Sequence, residues 1–69
     1  MTKVGLALAK NIKKIRQKKA VSQDKLSKLA GLTLHTIAKI ESGATLDPRI
    51  ETVKKIADAL DQGIDELLK

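Results

Sequence analysis

The chain has 69 residues, room for one domain around one hydrophobic core. It has no cysteine, a single histidine and no aromatic residue, which excludes a disulfide staple and a zinc site and argues against base stacking on single strands. The net charge of +6 marks a polyanion binder, and it is unevenly placed: residues 1–28 hold nine Lys and Arg against Asp24, while residues 56–69 hold four acids against Lys69.

The first predicted helix runs from Val4 to Lys19. Leu8, Ile12 and Ile15 recur at the spacing of one buried stripe. Lys10, Lys14 and Lys18 stand four apart on another face and form a cationic ridge. The apolar run before them is far shorter than the roughly 18 residues a membrane span needs. It also precedes its positive charges, the reverse of a secretory signal, so a cytoplasmic protein is expected.

Ala20-Val21 connects to the second helix, with Val21 expected to plug the core. Ser22 suits the N-cap, and Lys25 stands where a reciprocal capping box needs Glu or Gln. Leu26, Leu29 and Ala30 are the expected buried face. Gly31 marks a sharp turn, since glycine tolerates the left-handed conformation at helix ends. Leu32 is expected to point inward and Thr33 to cap the third helix, Leu34 to Ser42, anchored by Ile37 and Ile40 and stopped by Gly43. Leu34, His35, Ala38 and Lys39 then fall on its outward side.

Ala44 to Asp47 reads as a loop, and Pro48 as a helix start because it has no amide to satisfy. The fourth helix spans Arg49 to Leu60 with Ile50, Val53, Ile56, Ala57 and Leu60 as its apolar stripe, broken by Asp61-Gln62-Gly63. A short fifth helix, Ile64 to Leu68, closes the chain. The fold class predicted is all-α, a compact five-helix domain over residues 1–69 with a helix-turn-helix made by helices 2 and 3.

These residues carry a resemblance. IKKIR in helix 1, SQDKLSKLAGL into the turn, TIAKIESG through helix 3 and IETVKKIADAL in helix 4 resemble the helix-turn-helix domain of lambdoid phage repressors and Cro proteins, the Xre-type regulators. Ser27 departs from the alanine usual at its site, and Leu60-Asp61-Gln62-Gly63 replaces the usual Leu-Gly-Val-Ser.

The resemblance implies a sequence-specific double-stranded DNA-binding transcriptional regulator, a repressor that binds a palindromic operator as a dimer with helix 3 in the major groove. Thr33, Leu34, His35, Ala38 and Lys39 would face the bases. Ser22, Gln23, Ser42, Gly43, Ala44, Thr45, Arg49, Lys10, Lys13 and Lys14 would meet the backbone. Arg16 and Glu41 resemble an ion pair linking helix 1 to the end of helix 3. Leu60, Ile64, Leu67 and Leu68 are candidates either for the surface of a weak homodimer that forms mainly on DNA or for the ordinary core of the domain. Such a protein is bacterial or phage-encoded and nucleoid-associated when bound.

No nucleophile with a base, paired carboxylates or phosphate-cradling glycine loop points to an enzyme, and no metal or cofactor is implied. The alternative is an antitoxin or co-activator-type adaptor that uses the same fold on a protein partner, a toxin or the transcription machinery. Non-specific nucleoid or double-stranded RNA binding is a further alternative.

Overall fold

The computed structural model describes residues 3–45 and 48–69, so Leu46 and Asp47 of the expected loop lie outside the described residues. Five helices follow in order: α1 (Lys3–Lys18), α2 (Gln23–Ala30), α3 (Leu34–Glu41), α4 (Ile50–Ala59) and α5 (Ile64–Leu68). The expected elements are therefore all present, with Lys19, Ser42, Arg49 and Leu60 falling just outside the helices as flanking residues.

The apolar stripes meet in one core. Leu8 and Ile12 from α1, Leu26 from α2, Ile37 and Ile40 from α3, Val53, Ile56 and Ala57 from α4, Leu60 after it, and Leu67 from α5 are all buried. Ile15, Val21, Leu32 and Ile64 pack against this cluster from its edge. With no aromatic side chain available, the core is filled by branched aliphatics, each contributing roughly 1.5–3 kcal/mol on full burial. α1 packs on α3 and α5, and α2 on α3 and α4.

Three expectations are corrected. Leu29 is 55% exposed, and Ser27 takes its place on the inner face of α2. Ser27 is small enough to sit there, and its hydroxyl donates to the Asp24 carbonyl at 2.6 Å, which removes the cost of burying a polar group. Ile50 is 64% exposed, since it occupies the first turn of α4, at the outer end of the stripe. Leu60 and Leu67 are closed inside the core of a single copy, so neither can form a dimer surface; of that candidate set only Leu68 is exposed, with Ile64 half-buried.

The helices end alike. After each of α1 to α4 a residue in the left-handed region turns the chain: Ala20 (φ 57°), Gly31 (φ 69°), Gly43 (φ 80°) and Asp61 (φ 56°). At each, the amide of that residue and the amide of the next reach back to the last carbonyls of the helix, as in Gly31 N–H to Lys28 O at 3.3 Å and Leu32 N–H to Ser27 O at 2.8 Å. Aspartate tolerates this conformation better than alanine does. Two substitutions of opposite sign are expected to follow in thermal melts. Gly31→Ala should cost about 1 kcal/mol through backbone strain alone, because no atom lies within 4 Å of an added Cβ. Ala20→Gly should recover about 1 kcal/mol by relieving the same strain.

Asn11 is a fastener that the periodicity did not mark. Its side-chain amide donates to the carbonyls of Leu67 and Lys69, both at 2.9 Å, and so ties the end of α5 to α1. Among the described residues no helix is long and apolar enough to cross a membrane.

Candidate nucleic-acid interface

The outward face of α3 follows from the helical turn of about 100° per residue. Ile37 and Ile40 point into the core, so His35, Ala38 and Lys39 turn outward, with Leu34 at the edge of that face about 60° from Ile37. Leu34, His35 and Lys39 are exposed, and Ala38 is half-buried between them. Thr33 stands at the head of this face. Its hydroxyl oxygen accepts the Thr36 amide at 3.1 Å and lies 2.9 Å from the Thr36 hydroxyl, so the oxygen serves the cap and the methyl group is left for contact.

α2 is capped in the same way. The Ser22 oxygen accepts the Lys25 amide at 3.0 Å, and Leu26 N–H bonds to the Ser22 carbonyl at 2.9 Å. The first-turn amides of Gln23 and Asp24 lie ahead of this intrahelical ladder, an arrangement suited to an anion. Asp24 in that turn opposes an anion, partly offset by its exposed i,i+4 pairing with Lys28 at 3.2 Å.

Beneath the junction lies the best-built polar cluster in the molecule. The Arg16 guanidinium grips Glu41 with two parallel bonds, Nε to Oε2 at 2.8 Å and Nη2 to Oε1 at 3.0 Å, and donates through Nη1 to the Val21 carbonyl at 2.9 Å. Both side chains are largely buried, 12% and 3% exposed. Gln23 donates its amide to Glu41 Oε1 at 3.2 Å, which leaves one N–H of that amide for an outside acceptor. The carboxylate thus fixes α1, the start of α2 and the end of α3 to one another. Sequence reading named the pair but missed Gln23 as its third member, because residues 18 apart show no shared period.

The loop after α3 is more inward-looking than the sequence suggests. The amides of Ser42, Gly43, Ala44 and Thr45 bond to the carbonyls of Ala38, Ile40 and Lys39, and the Ser42 hydroxyl donates to Lys39 O at 3.0 Å. Closing the end of α3 uses all four amides, so Ser42, Gly43 and Ala44 have no main-chain donor left for a phosphate. The half-buried Thr45 contributes a hydroxyl, and Arg49 stands exposed just before α4.

The α1 lysines divide. Lys13 is exposed about 60° around the helix from Arg16, whereas Lys10 lies about 120° and Lys14 about 160° away. Lys14 lines a cleft with Glu66 and Lys69 of the α5 end. Lys10 and Lys14 therefore leave the set of side chains gathered around α3, and Lys13 stays near it.

The helix-turn-helix family model matches residues 12–67, from the α1 core residue Ile12 to the α5 core residue Leu67. The chain belongs to the Xre-type helix-turn-helix family. No curated protein matches it in sequence at a significant level. Among solved structures, this helix-turn-helix chain is similar to the restriction-modification controller protein C.AhdI from Aeromonas hydrophila. The two share 27% identity over 91% of this chain and 94% of that one, with a TM-score of 0.86. Membership makes the chain a DNA-binding protein of transcription regulation.

Proposed function

We propose that this helix-turn-helix protein is a sequence-specific repressor that occupies a palindromic operator as a dimer, in the cytoplasm, with α3 in the major groove. The carrying observation is the face of Leu34, His35, Ala38 and Lys39, turned outward by the burial of Ile37 and Ile40 and held rigidly by the Arg16–Glu41–Gln23 cluster. Likeness to a controller protein supports a regulatory role.

In this reading, Lys39 and His35 donate to guanine O6 and N7, while Leu34 and the Thr33 methyl lie against thymine methyls. The Ser22 hydroxyl, the remaining Gln23 N–H and the first-turn amides of α2 take one phosphate; Thr45, Lys13 and Arg49 take others, Arg49 near the minor groove. Each copy presents one α3, and half-sites one turn apart lie roughly 34 Å from each other, so each half-site would take its own copy. Leu68 and Ile64 offer only a small apolar contact, consistent with a dimer that forms mainly on DNA.

Selection from random duplexes tests the proposal. It should return a palindrome whose half-sites hold both G and T; no enrichment over bulk sequence would refute specific recognition. On the selected site, Lys13 and Arg49 of both copies should give a slope of log K against log salt of about −3.6, at about 0.9 per contact. A salt-independent affinity would rule out the phosphate contacts.

A further inference from the structure

α1 carries a second cationic face that the proposed operator contact does not use. Lys14 and Lys18 stand about 160° from Arg16, on either side of the point opposite it, and Lys10 about 120° away. Arg16 is the residue that meets Glu41 at the end of α3, so this ridge points away from the reading face. Lys10, Lys14 and Lys18 are exposed, α1 contains no acid, and among the described residues no carboxylate lies within ion-pair distance of any of the three. Lys14 and Lys18 border an open cleft of about 270 Å³ with Asn11 and Ile15, where the carboxylate of Glu66 is bonded to Lys69 at 3.0 Å.

We propose that this ridge holds the phosphate backbone of a second DNA duplex while α3 occupies the first, so that the protein bridges two DNA segments. The inference rests on the duplex-binding reading of α3 and adds a function to it. Two features favour a phosphate backbone as the occupant over an acidic protein. Between Lys10 and Lys18, Ile12 is buried and the half-buried Ile15 packs at the core's edge beside the cleft, so this stretch exposes no large apolar anchor of the kind protein interfaces depend on; the exposed Leu6 lies one turn before it. Its length, about 12 Å over eight residues, matches roughly three phosphates at 3.4 Å of rise per strand. Contacts of this kind are independent of sequence, so the second duplex can be any DNA.

A capture assay tests it. A duplex carrying the selected site is tethered to beads and saturated with protein at about 0.15 M salt, where the Debye length of about 8 Å screens remote charges. A labelled duplex of unrelated sequence is then added. Wild type should retain the labelled duplex. The triple variant Lys10→Gln, Lys14→Gln, Lys18→Gln should retain at least about tenfold less, given three lost phosphate contacts. Its anisotropy-measured affinity for the site alone should stay within about threefold, because those charges are screened from the first duplex. Glutamine keeps helix propensity close to that of lysine, so its melting temperature should match wild type.

Capture that persists in the triple variant would mean the two α3 faces of a dimer do the bridging, and would overturn the proposal. Parallel loss of site affinity would place the ridge in the first interface and overturn it as well. Retention of a poly-glutamate peptide with no labelled duplex would overturn it in favour of an acidic protein partner. A tethered duplex that is held without capture overturns the ridge alone. Failure to hold even the tethered duplex overturns the operator reading with it.

Discussion

Arg16→Met and Glu41→Leu should each lower stability by about 3–5 kcal/mol, and the double variant should recover most of that loss. The reason is the burial of the pair, 12% and 3% exposed. Either single change strands a charge that is largely shielded from water, whereas the double change strands neither. A surface pair would be worth at most about 1 kcal/mol. A chain of this size has a total stability on the order of 3–10 kcal/mol, so a single variant can approach unfolding at ambient temperature. Urea titration of the four proteins gives the coupling. A coupling above about 2 kcal/mol supports the buried-pair account, and simple additivity defeats it. Glu41→Leu also releases Gln23, so any folded variant should bind DNA more weakly at the α2 contact.

Lys39→Ala should cost about 1–3 kcal/mol of specific binding, roughly five- to 150-fold in Kd, and relax the preference at one guanine position. The side chain is exposed on α3 and belongs to no ion pair among the described residues, so its removal should leave stability nearly unchanged. Lys13→Gln supplies the contrast. It should weaken binding evenly across sequences and reduce the salt slope by about 0.9 for each copy bound. Competition against single-base variants of the selected site separates the two. An even loss across all bases for Lys39→Ala would move that residue from base reading to phosphate contact.

Local signals carried most of the architecture. The stripes of Leu8 and Ile12, Ile37 and Ile40, and Val53, Ile56 and Ala57 reported the helices, because a period near 3.6 is a property of the chain itself. The caps were equally legible: Ser22 and Thr33 accept the amides of Lys25 and Thr36, and Gly31 adopts the left-handed turn. The errors came where two residues competed for one place. At Leu29, hydropathy outvoted geometry; α2 buries Ser27 instead, and its hydroxyl is satisfied within its own turn. For Leu60 and Leu67, an apolar C-terminal segment has two possible partners, a second copy or the rest of the same core.

The sequence by itself determined the five helices, their turns, the outward set Leu34, His35, Ala38 and Lys39, and a cationic α1. Each depends on neighbours within a few positions along the chain. Only the tertiary structure decided that Glu41 binds Arg16 and Gln23 together, that Asn11 holds the end of α5, and that the amides of Ser42 to Thr45 turn inward. Only it turned the ridge of Lys10, Lys14 and Lys18 away from α3, by setting Arg16 against Glu41. Those outcomes depend on which helix lies against which, and packing brings together residues 18, 25 and 56 positions apart that leave no mark on any local period.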